Sequence, residues 1–451
     1  MRIVDLGPPQ GRVLIATRPL LPGQTILLEE PVILLQDAYP LSIYRAFTAS
    51  SPAVQCQILD FFAPVDGAFG TQLRAALLDS GELDKSEVDV FVRVVLAFQF
   101  NCVGVSPAPD DGGTPPDLGA ALYSVACRAS HSCQPNCFWL ADKLGRRVVR
   151  TLVDVADGEE VCVDYNLERV DLKPVHERRA KLSGWEFLCG CPRCATHGDD
   201  TRRFHCMEAT CTGHHLVHQP SIDIPAELTA CSDCGTRASA PYTSRMLKQE
   251  ADMIKDMTEL SGSSIDAAGP LSNMAAGILR LQPPHPHHYL AAEAAHLQWE
   301  LYRDRGEWER AAQALEAEIA CRDAVIRFPS RNTAFCNHDR GDMLMKAYRA
   351  AGAGAGEKRG LLLAQALEAY RRAVHGLLIT GGPSHPFTSV ADAKLAAAVQ
   401  EQGRGGAGQG GGGAGPGTAS TAASKVTGVQ QRQGSRGKKV KPSSRTSSET
   451  K

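Results

Sequence analysis

Cys189, Cys191 and Cys194 form a Cys-x-Cys-x2-Cys cluster, a spacing that suits a soft metal, yet a tetrahedral zinc takes four ligands and this cluster supplies three. Cys133, in the upstream stretch Arg128-Ala-Ser-His-Ser-Cys-Gln-Pro-Asn-Cys137, is the natural fourth. A shared zinc would then draw distant segments of chain into one site. A second set, Cys206-x4-Cys211 followed by Cys231-x2-Cys234, has the form of a four-thiolate zinc ribbon, with His205 or His214 able to replace a ligand. Between the two halves of the first set lies Gly158-Glu-Glu-Val-Cys-Val-Asp-Tyr165, a strand ending in tyrosine. Singly, a cysteine is often a small core residue and a strand-end tyrosine a packing one. Their order and clustering favour a site. Cys137 and Cys162 read as core, and His285-Pro-His287-His288 as the Pro-rich start of a helix with incidental histidines.

Those residues need elements to carry them. From Gly11 to Gln36 the pattern predicts two strands, Val13-Leu-Ile-Ala-Thr17 and Thr25-Ile-Leu-Leu28, joined by the turn Leu21-Pro-Gly-Gln24. Residues 41–100 change to a helical period, as in Val88-Asp-Val-Phe-Val-Arg-Val-Val-Leu-Ala-Phe98, and look inserted into a sheet domain, because strands resume afterwards. Ser106 to Pro116 is a loop by composition. Arg146-Arg-Val-Val-Arg-Thr-Leu-Val153 and Glu160-Val-Cys-Val-Asp164 flank Ala156-Asp-Gly158, which predicts a hairpin. Residues 241–401 read as helical, and Leu301 to Ala312 resembles Lys346 to Gly352 followed by Ala364 to Ala373. This is the logic of tetratricopeptide-like helical hairpins without a fixed period. From Gln402 onward Gly, Ser, Thr and Lys replace the large apolar residues, predicting a disordered basic tail.

The expectation is therefore an α+β chain in four parts: a β-rich domain with a helical insert over 1–195, a zinc ribbon over 202–237, a helical-hairpin array over 241–401 and the tail over 402–451. The 451 residues suffice for two to four domains, and 43% hydrophobic residues can fill ordinary cores. The net charge of -2 hides an asymmetry, since the tail has nine Lys/Arg against one Asp/Glu, leaving it near +8 and the remainder near -10. No single-sign surface in the folded part implies bulk attraction to nucleic acid. Fifteen cysteines in short pairs, no signal-peptide core in Met1 to Pro9 and no apolar run of roughly 20 residues lead us to expect a soluble intracellular protein off the membrane.

With these motifs on the page, the chain resembles SET-domain protein lysine methyltransferases of the SET- and MYND-domain (SMYD) type. The resemblance rests on Arg128–Cys137, Gly158–Tyr165 and Phe187-Leu-Cys-Gly-Cys-Pro-Arg-Cys194, runs from about Gly11 to Cys194, and extends in layout to the ribbon and the array. It implies that the first stretch threads beneath the second in a knot-like active site, with S-adenosyl-L-methionine on one side and the target lysine on the other. By this similarity Ser130 and His131 would lie at the adenosyl group, Asn101 near the cofactor's amino-acid end, and Gly11 and Arg12 along the cofactor. Phe187 would stack on the adenine, Tyr165 would be catalytic, and Cys133, Cys189, Cys191 and Cys194 would hold a post-SET zinc. The resemblance also implies a protein or peptide substrate presenting a lysine, histone or non-histone, and a monomer of nucleus and cytoplasm; Lys438-Lys-Val-Lys441 resembles a short nuclear-import signal.

The chain departs from the family pattern where it has Ser130-His131-Ser132 for Asn-His-Ser, Gly11-Arg12-Val13 for Gly-x-Gly, and Trp185 for a second tyrosine. The MYND module is expected to be absent, since residues 41–100 contain only Cys56. Two other readings stay open. One is a weak or inactive SET scaffold that binds a peptide or partner. The other is a zinc-ribbon nucleic-acid binder, disfavoured because the ribbon's basic residues are few, Arg202, Arg203 and Arg237.

Overall fold

The computed structural model describes residues 1–7, 11–81, 83–108, 116–165, 170–218, 225–262, 277–352 and 355–407. The loop expected over 106–116 lies partly outside these residues, and the tail from 408 wholly outside.

The chain opens on an antiparallel pair, β1 (Arg2–Asp5) and β2 (Arg12–Ile15), with Asp5 opposite Arg12. Two further strands follow, β3 (Thr25–Glu29) and β4 (Ile33–Leu35), before the insert begins. The insert is four helices, α1 (Pro40–Ala49), α2 (Pro52–Leu59), α3 (Ala68–Ser80) and α4 (Lys85–Asn101). Its helix starts are written locally: proline opens α1 and α2, Ser51 accepts from Val54 N–H, and Asp84 with Glu87 closes a capping box on α4. Val88, Val92, Val94, Leu96 and Phe98 of α4 are fully buried, and Ile43, Phe47 and Ile58 of the earlier helices pack in the same core. Burying such a side chain contributes about 1.5–3 kcal/mol, so α4 is the insert's axis.

Strands resume as expected, with β5 (Val103–Gly104), β6 (Ala120–Leu122), β7 (Ser130–His131), β8 (Cys137–Ala141), β9 (Arg147–Thr151) and β10 (Cys162–Val163). They form small sheets in the orders β4-β6-β5, β3-β9-β8 and β10-β7 around a core that includes Leu14, Tyr123, Trp139, Val149, Val161 and Val163. The expected hairpin between 146 and 164 does not form. Ala156-Asp-Gly158 does turn, with Gly158 at φ 82, but Val155 pairs with Leu20 and Glu160 with Ile15. The end of β2 and the segment after it thus claim both sides of the turn. Freed from β9, β10 runs parallel to β7.

After α5 (Val175–Leu182) comes a three-stranded sheet of β11 (Asp199–His205), β12 (His214–His218) and β13 (Glu227–Leu228). The described helices that follow are α6 (Ala240–Gly262), α7 (Tyr289–Asp304), α8 (Trp308–Val325), α9 (Arg331–Ala350), α10 (Gly356–Thr380) and α11 (Pro386–Ala407). From α7 onward each packs on the next in sequence, the expected helical-hairpin array. α11 continues to Ala407, inside the segment expected to be tail.

Buried charge fastens the array to the sheets. Arg150 of β9 donates to the carbonyls of Leu378 and Ile379 at the end of α10, each at 3.0 Å. Asp171 Oδ2 accepts from Arg322 Nη1 of α8 at 3.0 Å and from Asn332 Nδ2 of α9 at 3.2 Å, while Arg193 donates to the Asp171 carbonyl at 2.7 Å. Asp171 therefore joins the cysteine cluster to the helices. No helix among the described residues is long and apolar enough to cross a membrane.

Candidate active site

The site is built where two chain segments cross. In the parallel pairing of β7 and β10, Ser130 stands opposite Cys162 and His131 opposite Val163, and Ser132 N–H donates to the Val163 carbonyl at 2.9 Å. Asn136 pins the crossing. Its Nδ2 donates to Glu159 Oε1 at 3.0 Å and to the Glu160 carbonyl at 2.8 Å, and its Oδ1 accepts from Cys162 N–H at 2.8 Å. In the sequence Asn136 stands inside the Arg128–Cys137 motif with no role of its own. Its signal was present, a Pro-Asn pair directly before a strand, but its partners lie more than twenty residues away.

Tyr165 leaves this crossing with its hydroxyl donating to the Ala129 carbonyl at 2.8 Å and its backbone N–H donating to His131 Nδ1 at 3.1 Å. Aromatic rings enclose it. Trp139 stacks parallel at 5.7 Å, Trp185 tilts at 5.7 Å and Phe187 meets it edge-on at 6.4 Å. Burial, helped by Cys127, Cys162 and Glu160, pushes the phenol well above its ordinary pKa, so it stays a proton donor.

His131 is buried with both ring nitrogens in use, because Nε2 lies 3.2 Å from Cys133 Sγ and Nδ1 takes the Tyr165 N–H. Asp164 Oδ1 stands 3.5 Å from the same Nδ1, at the edge of contact. Burial first, against the Cys191 field, lowers the imidazole to about 4, so the ring is neutral at pH 7. Any cofactor contact by His131 would fall to its backbone. Ser130 Oγ donates to Glu160 Oε1.

The four sulfurs of Cys133, Cys189, Cys191 and Cys194 lie within 4.8 Å of one another, with Cys133 4.0 Å from Cys189 and 3.6 Å from Cys194. A zinc about 2.3 Å from each sulfur requires S···S edges of about 3.8 Å, so the set fits the ion. Arg178 Nη2 donates to Cys194 Sγ at 3.6 Å, and Arg179 donates to the Cys189 and Cys194 carbonyls. With an ion bound, the two guanidiniums beside these four sulfurs would offset the charge that a single divalent ion leaves on four thiolates. The second set converges equally, with Cys206 3.6 Å from Cys234 and Cys211 3.7 Å from Cys231. Glu208 N–H and Gly213 N–H each donate to a sulfur at 3.4 Å. A Cβ on Gly213 would stand 2.6 Å from Cys231 Sγ, so only glycine lets the knuckle close.

The remaining expected residues flank this centre. Phe187 is part-exposed and its ring lies 6.1 Å from His131. Glu186 before it holds φ 56, a left-handed value rare outside glycine, and its carboxylate rests against Gly67 of the insert. Gly11 also turns left-handed at φ 66. Arg12 pairs with Asp60 at 2.6 Å, and Arg128 reaches the same carboxylate at 3.1 Å. Asn101 ends α4, its amide donating to the Phe62 and Ala97 carbonyls, both at 2.7 Å, so its bonds tie it to the insert and not to Ser130 or His131.

A SET-domain family model matches residues 11–166. A SET and MYND domain-containing protein of Dictyostelium discoideum is 28% identical over 119 residues, covering 26% of this chain and 22% of the relative. The protein-lysine N-trimethyltransferase SMYD5 of Gallus gallus is 31% identical over 85 residues, 18% of this chain and 20% of the relative. The histone-lysine N-methyltransferase ATXR4 of Arabidopsis thaliana is 35% identical over 81 residues, 17% and 23% respectively. The chain thus spans less than a quarter of each of these relatives.

Proposed function

We propose that this chain, a SET-domain protein of SMYD-like sequence, transfers methyl groups to lysine side chains of proteins with S-adenosylmethionine as donor. When bound, the donor supplies a methyl on a sulfonium, already a strong electrophile. The protein therefore mainly has to align a neutral amine behind that carbon. Tyr165 and the Ala129 carbonyl it is bonded to are the polar pair at the crossing, and either can hold an incoming amine. Trp139, Trp185 and Phe187 around the phenol wall the site with apolar surface and exclude water. Lysine titrates near about 10.4 in water, and such desolvation favours its neutral, nucleophilic form. Ser130, the His131 backbone and Phe187 are the residues we assign to the donor's adenosine, with Gly11, Arg12 and Asn101 on the insert side. The two cysteine cages would hold zinc, the first of them fixing the segment around Trp185 and Phe187 beside the crossing. The array would form one wall of the substrate groove.

The observation that carries this reading is the Tyr165 hydroxyl held on the carbonyl of Ala129, in the same short stretch as Cys133, one of the four converged sulfurs. It is tested by incubating the protein with methyl-labelled S-adenosylmethionine and a protein library, followed by acid hydrolysis. Label recovered as methyl-lysine supports the reading; no label in any substrate, from folded protein with its metal, contradicts it. One contact favours a second reading, a scaffold that binds without turnover: the Ser130 hydroxyl is already committed to Glu160. Calorimetric titration with S-adenosylmethionine separates the two, since absence of heat supports the scaffold. We place the protein in the nucleus and cytoplasm, and imaging of a fluorescent fusion confined to another compartment contradicts that placement.

A further inference from the structure

The ring of His131 lies between two things that the proposed function treats separately, the first cysteine cage and Tyr165. Its Nε2 is 3.2 Å from Cys133 Sγ and its Nδ1 is 3.1 Å from Tyr165 N. A backbone N–H can only donate, so Nδ1 must accept, and in a neutral ring the proton then sits on Nε2, pointing at the sulfur. The backbone of His131 is fixed independently by the β7–β10 ladder. Beside the Asp164 carboxylate, 3.5 Å from Nδ1, and the flanking Tyr165 and Phe187 rings, the polar contacts that set the angle of the ring are the sulfur at one end and the Tyr165 amide at the other. A cysteine sulfur in a closed metal cage has no rotamer freedom, whereas a free one turns about χ1.

We propose that His131 is a positioning residue that couples occupancy of the Cys133 cage to the placement of Tyr165. The metal fixes the Cys133 sulfur, the sulfur fixes the imidazole, and the imidazole fixes the backbone from which the phenol reaches Ala129. Losing the metal would release that chain at its first link, turning the Tyr165 ring off Trp139 and its hydroxyl off the Ala129 carbonyl. This gives the cage a role in the chemistry beyond holding the fold. The inference rests on the methyl-transfer reading for its catalytic consequence, but its structural half is measurable without turnover.

The geometry supplies two conservative variants. In His131→Asn the side-chain amide occupies the place of Nδ1 and keeps an acceptor for Tyr165 N–H, but cannot reach Cys133. In His131→Gln the amide occupies the place of Nε2 and keeps the contact with sulfur, but loses the acceptor. The reporter is Trp139, parallel to Tyr165 at 5.7 Å, read by fluorescence in a Trp185→Phe, Trp299→Phe, Trp308→Phe background that leaves it as the only tryptophan of the four in the sequence. In the His131 protein, stripping zinc with a chelator is expected to shift Trp139 emission. In both variants, loaded with zinc to the same content by mass spectrometry, chelation is expected to shift it less, by only the part that release of the Phe187 segment contributes. Emission that ignores chelation in the His131 protein overturns the inference by itself, as does an equal shift in all three proteins. With substrate, His131→Gln is expected to lower kcat about tenfold or more with little change in KM for the cofactor; a change confined to KM overturns it. A chain that transfers no methyl group but shows the emission pattern contradicts the proposed function and supports the coupling. An active chain with unresponsive emission does the reverse.

Discussion

The sulfurs of Cys133 and Cys194 stand 3.6 Å apart although 61 positions separate them in the chain. That approach closes the segment after Tyr165 back onto the segment before it, so the aromatic residues preceding the cluster are carried to the phenol. Without the contact, Trp185 and Phe187 would have no reason to face Tyr165.

Zinc content should therefore follow the cages individually. The intact protein is expected to carry about two zincs per chain, and Cys133→Ser about one, with the ribbon ion retained. Metal analysis of the purified proteins checks this. Two zincs in Cys133→Ser, or none in the undamaged parent, would contradict the assignment.

Asn136 offers a second handle on the crossing. Truncation to alanine leaves the Cys162 N–H without its acceptor and removes two bonds to Glu159 and Glu160. A cost of about 1–3 kcal/mol in stability is expected, read by denaturant unfolding, together with loss of methyl transfer. Full activity in Asn136→Ala would show that the crossing is held by something else.

The array is tied on through buried charge. Arg322 is almost wholly buried, paired with Asp171 at 3.0 Å and Glu318 at 3.1 Å. Arg322→Ala leaves two buried carboxylates without their cation and should cost about 3–5 kcal/mol. Thermal unfolding would show a lowered or split transition as the array parts from the sheets; an unchanged melting curve would contradict the role.

Acid should loosen the ribbon's seam with the array. His285 is held down to about 3, first by burial and then by the neighbouring His205, His287, His214 and Arg203. Its unfolded value is near about 6.5, so below that pH the unfolded chain takes up a proton that the folded one refuses. The stabilisation is complete above about 6.5 and is lost as pH falls from there toward 3. His285→Asn keeps an acceptor for His287 N–H, a bond of 3.0 Å, while removing the titration. It should flatten the fall in melting temperature between pH 6.5 and 4; an identical pH profile would dispose of the explanation.

Much of this was readable in the residues, and the failures have a common cause. Cysteine spacing, proline and capping residues at helix starts, and the change of period at the insert are local signals, and each points to the element or cluster found. The Asp-Gly turn at 157–158 was also read correctly as a turn. Its strand pairing was not, because Leu20 and Ile15 compete for the same backbone groups from more than a hundred residues away. Asn136 and Asp171 were passed over for the same reason: their importance lies in partners that only the folded chain brings near. His131 looked like a cofactor contact by motif, and its ring turned out to be shared between a sulfur and a tyrosine amide.

The central claim is that Tyr165 serves methyl transfer to lysine, and the steady-state rate of labelled methyl transfer by Tyr165→Phe tests it most directly. That variant keeps the aromatic packing against Trp139 and loses only the hydroxyl bonded to Ala129. The account expects kcat to fall by about 100-fold or more with the fold and zinc content intact. Transfer at the parent's rate by Tyr165→Phe would contradict it.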